Sequence, residues 1–461
     1  MTEFNVTDKT KMETQALSIR EKVGYAVGDT ASCLYFQTFS MFLMFFYTDT
    51  FGITAAAVGT MLLVTRIWDT FNDPLMGMIA DRTNTKWGKF RPWILWMILP
   101  YAITGILTFI TPDLSTTGKL VYAYITYTLV TMAYTAINIP YGALLGVMTS
   151  DGNQRTQLSS FRFIGAFSGN LIIQGLLILL VGKLGGGDDR LGYPLAMAAF
   201  ALLASGLWFF TFSSTKERIQ PPKDQKSSIK QDLHDLIRNR PWLILGLMGI
   251  LTLVWVSLRN GAMMYYFTYY VGAKEKAAVF MVVGTIFSLL GVSATAPLTK
   301  LIGGKKKTYI VLSIANALIT STFFLAKPDG FVLMYASHIL GSFVGGPLMP
   351  LTWSMYADTA DFAEWKFGRR ATGLIFSAAT FSQKMGWTIG GAVAGWVLAA
   401  FDYQANVEQT EHTLVGIRLM MSILPAIGSL LVCVAAVFYN LSEQKIETIN
   451  ADLIQRRGEV A

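Results

Sequence analysis

Long apolar runs alternate with short polar loops along the whole chain. About 20 apolar residues in a helix cross the ~30 Å hydrocarbon core of a bilayer. The pattern predicts twelve spanning helices, at 24–48, 52–80, 93–112, 118–148, 158–182, 191–213, 242–271, 277–302, 308–326, 330–357, 372–401 and 412–440. Several of these exceed the minimal span, which predicts tilt or extension beyond the bilayer. The longest internal polar stretch, Ser213 to Pro241, divides them six and six. The predicted organisation is an N-terminal bundle over 1–212, a central loop over 213–241, a C-terminal bundle over 242–440 and a tail over 441–461. Within the loop, Ile229 to Asn239 has the pattern of a short amphipathic surface helix. The tail from Glu443 reads as a solvated helix without a role. Residues 1–20 are polar and lack the apolar core of a cleavable signal peptide, so the first helix is predicted to direct its own insertion.

Composition supports this. Of 461 residues, 53% are hydrophobic and 14% charged, whereas a soluble globular chain carries about 25% charged residues. A disordered protein, a nucleic-acid-binding domain and an ordinary soluble enzyme are excluded. The net charge of +8 reflects basic loops rather than a polyanionic partner. With the N-terminus inside, 26 of the 37 Lys and Arg residues fall on the cytoplasmic side. Only Lys119, Lys183, Arg190, Lys274, Lys276 and Lys327 fall outside. That asymmetry predicts a multi-pass inner-membrane protein with both termini cytoplasmic. Cys33 and Cys433 make no disulfide framework or metal pattern. No phosphate-binding loop, zinc-protease motif or nucleophile elbow occurs. Neither an enzyme nor a cofactor is expected.

Charge inside the membrane is costly, about 2.5–3.5 kcal/mol at the bilayer centre, so such residues face the bundle interior and find partners. The densest group is Arg66-Ile-Trp-Asp69-Thr-Phe-Asn72-Asp73-Pro74 on the second helix. Asp69, Asn72 and Asp73 share one helix face. Two carboxylates and an amide oxygen there suit a hard monovalent cation, or a shared proton. Arg66, three residues before Asp69, neutralises it when the cation is absent. The competing reading is a structural Arg66–Asp69 lock.

Elsewhere, Asp29 on helix 1 is either a helix cap or a binding residue, with Cys33 one turn on. Helix 4 offers Tyr134, Thr135 and Asn138 before Pro140, which frees a carbonyl. Arg162 lies on helix 5. Arg259 lies on helix 7 among aromatics that could stack on sugar faces. Helix 11 carries Gln383, Lys384 and Trp387, and Lys384 needs a carboxylate partner, for which Asp69 or Asp73 is the candidate. On the inner side, Asp361 and Glu364, between helices 10 and 11, read as a cytoplasmic gate closing on the basic loop of Lys86 and Arg91. The two halves echo each other weakly. Gly77-Met-Ile-Ala-Asp81-Arg82 leads into Lys86–Arg91, and helix 8 leads into the basic run Lys305-Lys306-Lys307. Two homologous halves with the substrate path between them follow from that echo.

Several motifs occur together and in order: Arg66-Ile-Trp-Asp69-x-x-Asn72-Asp73-Pro74, Arg82-x-x-x-Lys86-Trp-Gly-Lys89-Phe-Arg91-Pro92-Trp93, Tyr47-Thr48-Asp49 and Asp361-x-x-Glu364-Trp365-Lys366. In these the chain resembles the glycoside–pentoside–hexuronide:cation symporters of the major facilitator superfamily. The resemblance runs from about Arg20 to about Asn440. It implies a major facilitator fold with alternating access, and a small-molecule sugar moved with Na⁺, H⁺ or Li⁺ by a membrane protein working as a monomer among lipids. It implies a cation site at Asp69, Asn72, Asp73 and Thr135, a midplane Lys at Lys384 and a sugar-binding Arg at Arg162. The sugar positions depart from those of the family's melibiose permease. Its helix 1 Lys–Asp pair falls at Ser32 and Cys33, its helix 4 Asp at Asn138 and its helix 4 Trp at Gly142. Fewer carboxylates beside Arg162, Arg259 and Lys384 leave a more positive pocket. A hexuronide or sulfonated sugar and a neutral xyloside or oligosaccharide are both open on this reading. Two rivals are a lysolipid carrier, against which Asn138, Gln383 and Arg162 count, and a non-transporting sugar sensor, which would add a soluble signalling domain.

Overall fold

The protein is described here from a computed structural model covering residues 17–149, 152–218, 234, 236–368 and 372–460. Regular structure among these residues is helical, apart from one isolated bridge, Thr85 with Gly88. The chain divides into two compact units, Met1–Gln225 and Lys226–Ala461.

The first unit holds six long helices: α1 (Ile19–Met41), α2 (Ala55–Arg82), α3 (Arg91–Thr108), α4 (Thr116–Met148), α5 (Gly152–Gly185) and α6 (Asp189–Ser214). The second holds α7 (Arg240–Tyr265), α8 (Lys276–Ser293, then Thr295–Ile302), α9 (Lys305–Thr322), α10 (Phe331–Gly345, then Leu348–Phe367), α11 (Thr372–Ala400), α12 (Glu411–Met421, then Ile423–Phe438) and α13 (Glu443–Val460). Eight are long and apolar enough to cross a membrane: α4 to α10 and α12 with their short extensions. Helix α2 is not among them, because Arg66, Asp69 and Asp73 crowd its middle.

The sequence reading needs three changes. The acidic stretch Asp358–Glu364, read as a loop, is the last part of α10, which runs unbroken from Leu348 to Phe367. The tail read as solvated is packed: Ile446, Ile449 and Leu453 of α13 are buried in one apolar cluster with Phe362 and Tyr439. Apolar positions three and four apart give α13 a face to bury. The first helix also does not run unbroken to residue 48, because α1 ends at Met41. The surface helix expected at Ile229–Asn239 lies mostly outside the described residues.

The two units repeat one packing device. Helix α1 against α5, and α7 against α11, are the most extensive helix pairings. Glycines at four-residue spacing bring the backbones together. A Cβ at Gly165 would lie 2.1 Å from the Ala26 carbonyl oxygen, and one at Gly169 would lie 2.6 Å from that of Thr30. In the second unit, Gly386 and Gly390 stand at 2.6 and 2.3 Å from the Ile250 and Val254 carbonyl oxygens on the same construction. A hydroxyl closes each contact: Thr30 Oγ1 donates to Gly165 O (2.9 Å) and Ser257 Oγ to Trp387 O (3.0 Å). Helices α1 and α7 also lead into matching π-helical turns, Phe46–Phe51 and Tyr266–Tyr270. Each turn is followed by a left-handed glycine, Gly52 (φ 87°) and Gly272 (φ 72°).

Gly165→Ala and Gly386→Ala should each destabilise the protein by about 1–3 kcal/mol, the usual cost of overpacking. Gly206→Ala, with nothing within 4 Å of its added methyl, should not. Melting temperature of the purified protein in detergent measures both.

Candidate functional site

Helix α2 starts at an N-cap, Thr54, whose hydroxyl accepts from Ala57 N–H. It packs along α4. That pairing brings Thr135 onto the acidic face of α2: Thr135 Oγ1 donates to Asp73 Oδ1 at 2.9 Å. One turn earlier, Arg66 Nη1 lies 3.3 Å from Asp69 Oδ2. Arg66 sits beside Tyr127 and Tyr134 of α4. Asp69 is buried, at 7% exposure. Asn72 is partly buried, and its Nδ2 has no hydrogen-bond partner among the described residues. The four residues expected to hold a cation, with Arg66 as charge partner, thus lie along one helix pair. An Arg66–Asp69 pair thus stands beside a carboxylate, an amide and a hydroxyl.

On the facing helices of the same unit, Arg162 of α5 makes a two-pronged pair with Asp29 of α1. Nη2 reaches Oδ1 at 3.2 Å and Nε reaches Oδ2. Asp29 is therefore no helix cap; Ser18 caps α1, in a capping box with Glu21. The rings of Tyr25 and Tyr141 flank the guanidinium at 5.7 and 5.2 Å. Nothing in the sequence pointed to these two tyrosines, which are remote from Arg162 along the chain. Next to them, Ser32 Oγ donates to Asn138 Oδ1 (2.7 Å) and lies 3.3 Å from the Tyr134 hydroxyl, while Asn138 Nδ2 donates to Tyr134 O (3.1 Å). Cys33 is partly buried on α1, one turn beyond Asp29. An uncharged network of hydroxyls and an amide thus includes Ser32 and Asn138, the positions where the melibiose permease has a lysine and a helix 4 carboxylate. The Arg162 charge, expected to make the pocket positive, is balanced by Asp29.

In the second unit, Arg259 Nη2 lies 3.5 Å from His338 Nδ1, and His338 Nε2 lies 3.0 Å from Phe280 O. A guanidinium only donates, so Nδ1 accepts and Nε2 carries the proton. The imidazole stacks on the Phe280 ring at 3.7 Å. His338 is thus a partner of Arg259. Gln383 and Lys384 lie on α11 and are partly buried. Gln383 Nε2 makes a long contact with Met349 Sδ (3.9 Å). Trp387 contributes its carbonyl to Ser257.

Among the expected gate residues, the two basic ones make contacts within their own unit. Arg91 donates to Phe212 O (2.7 Å) and Trp87 O (3.3 Å), and Lys86 Nζ stands 5.0 Å over the Trp87 ring. Asp361 and Glu364 lie on the last turns of α10, beside Asp358, which takes Lys305 Nζ at 2.7 Å. Near the start of α1, before its spanning part, burial pushes the Glu21 carboxyl up. The Ser18 N–H and the Arg218 guanidinium outweigh that and hold it below the usual carboxylate range.

Residues 24–443 match the family model described as MFS/sugar transport protein. The chain belongs to that family. Among curated relatives, the inner membrane symporter YicJ of Escherichia coli is 40% identical over 453 residues, covering 96% of each chain. The isoprimeverose transporter of Lactiplantibacillus pentosus is 36% identical over 447 residues, covering 95% of this chain and 92% of its own. The crystal structure of the nucleoside transporter NupG covers 92% of this chain and 100% of its own, with TM-score 0.66 and 16% identity, which speaks for the fold alone. The two units are thus those of a major-facilitator sugar transporter in the inner membrane.

Removing one partner of a buried ion pair strands the other charge. Asp29→Asn should therefore lower the melting temperature more than the double variant Asp29→Asn/Arg162→Gln. Thermal unfolding of the purified transporter checks this.

Proposed function

We propose that this sugar symporter takes up a neutral glycoside together with Na⁺, the ion bound at Asp69, Asn72, Asp73 and Thr135. The observation that carries the ion site is the hydrogen bond from Thr135 to Asp73, beside the Arg66–Asp69 pair. It sets a helix 4 hydroxyl on one of two carboxylates, an oxygen-rich setting that suits a hard cation. A bound cation competes with Arg66 for Asp69, and so couples ion binding to the charge balance of the neighbouring sugar residues. The sugar residues in this reading are Asp29, Cys33, Tyr134, Asn138 and Arg162 in one unit and Arg259, Gln383, Lys384 and Trp387 in the other. The balanced Asp29–Arg162 pair and the Ser32–Asn138–Tyr134 network favour an uncharged glycoside, of the kind named for the isoprimeverose relative. Twelve helices cross the membrane in this reading, both termini are cytoplasmic, and a monomer suffices. The site is exposed alternately to the two sides, and each ligand shifts that equilibrium only by its differential affinity for the two states. Lys86, Arg91, Asp361 and Glu364 serve the cytoplasmic gate.

Uptake of isoprimeverose, a methyl glucuronide and sulfoquinovose, each in Na⁺ or in choline, tests the proposal. Isoprimeverose uptake driven by Na⁺ is expected. Uptake unaffected by Na⁺ but driven by a proton gradient replaces the ion, and uptake of the acidic sugars alone overturns the neutral substrate. Asp73→Cys should abolish accumulation while sugar binding survives. Thr135→Ala removes a hydroxyl oxygen proposed to ligate the ion, so the half-saturating Na⁺ concentration should rise severalfold.

A further inference from the structure

The start of α3 in the first unit and the start of α9 in the second are held in the same way, each by a glutamate assigned no role so far. The Glu217 carboxylate lies just past the end of α6. It accepts three backbone N–H groups at the entry to α3: Lys89 on Oε2 (2.8 Å), and Phe90 (2.8 Å) and Arg91 (2.9 Å) on Oε1. In return, the Arg91 side chain donates to Phe212 O near the C-terminal end of α6 and lies 4.8 Å from the Phe212 ring. The second unit repeats the exchange. Glu443, just past the end of α12, accepts Lys305 N–H at 2.5 Å, and Lys306 Nζ donates to Val437 O near the C-terminal end of α12 at 2.8 Å.

A helix N-terminus presents unpaired N–H groups and favours an anion, and a C-terminus favours a cation. Each unit thus joins the end of its sixth helix to the start of its third by two complementary charge-to-terminus contacts. A glycine makes room in both. Gly88 (φ 108°) and Gly304 (φ 114°) adopt backbone conformations that favour glycine. A Cβ at Gly88 would lie 2.4 Å from Glu217 Cδ, and one at Gly304 would lie 2.5 Å from Glu443 Cγ.

We propose that Glu217 and Glu443 are positioning residues for transport, each fixing the basic loop that leads into the third helix of its unit. The glutamates act through Arg91 in one unit and through Lys305 and Lys306 in the other. With the clasp closed, these basic groups are spent on acceptors of their own unit, Phe212 O, Val437 O and Asp358. The clasp therefore sets the rate of the conformational cycle and leaves the ligand sites alone. The inference rests on the symporter reading for its functional half; its structural half stands apart from any substrate.

Glu217→Gln and Glu443→Gln keep the side-chain size but remove the charge. Each is expected to cut maximal isoprimeverose uptake at least fivefold per sugar-binding site in the membrane, with KM and sugar Kd within twofold of wild type. A merely structural role would lower binding sites and uptake in proportion, and uptake per site equal to wild type overturns the proposal. Glu217→Gln and Arg91→Gln should be non-additive because they open one clasp, whereas Glu217→Gln and Glu443→Gln should combine additively. Where a Gln variant does not reach the membrane, Glu217→Asp and Glu443→Asp keep the charge, shorten the reach and carry the same expectation. Hydrogen exchange in the full-length protein needs no ligand. The amides of residues 89–91 and 305 should exchange at least tenfold faster in the variants, and unchanged exchange overturns the clasp. If the wild type accumulates no glycoside while the exchange result holds, the symporter reading fails and the clasp does not.

Discussion

The cost of carrying charge through hydrocarbon is the constraint on which the site depends. An ionic side chain within a spanning helix has to meet its partner inside the protein. In the first unit that requirement pairs Arg162 with Asp29 and Arg66 with Asp69, and gives Asp73 the Thr135 hydroxyl. These contacts tie α1 to α5 and α2 to α4, so the residues that read as ligands are also part of what registers the helices. On the proposed reading, a cation arriving at Asp69 and Asp73 would meet a charge balance already struck, and so could change it. This gives coupling a physical basis without any element added for the purpose.

Close backbone approach is the second constraint. Lipid chains are as apolar as leucine, so helix association in a membrane rests on packing and interhelical hydrogen bonds. Gly165 and Gly169 on α5, and Gly386 and Gly390 on α11, answer that need in the same way in both units. Arg162 and Gln383 each stand three residues before the first glycine of their pair. The repeat thus delivers a polar side chain at the same height along α5 and α11, charged in one unit and neutral in the other. The clasps at Glu217 and Glu443 repeat as well. The repeat in this chain lies less in shared residue types than in shared solutions to the same packing and capping problems.

The division between what the sequence settled and what folding settled follows the range of each force. Hydrophobicity over some 20 residues is a local property, and it located nearly every long helix to within a few residues. It also marked Arg66, Asp69, Asn72 and Asp73, because charge within an apolar run stands out without any knowledge of neighbours. The motifs shared with the symporter family gave the family. Partners are a different matter. Arg162 and Asp29 are far apart in sequence, as are Glu217 and Lys89, and Trp365 and Asp452. Whether a charge is spent or available depends on that distant partner, and so the pocket judged positive from carboxylates missing relative to the melibiose permease proved balanced on its Arg162 side. The tail misled for the same reason: Ile446, Ile449 and Leu453 form a stripe whose burial only the packing of α13 on α10 decides. The sequence by itself determined the membrane class, the helices and the residues able to do chemistry, because those depend on composition and spacing. Only the tertiary structure decided which of those residues neutralise one another, because an ion pair is made by proximity in space.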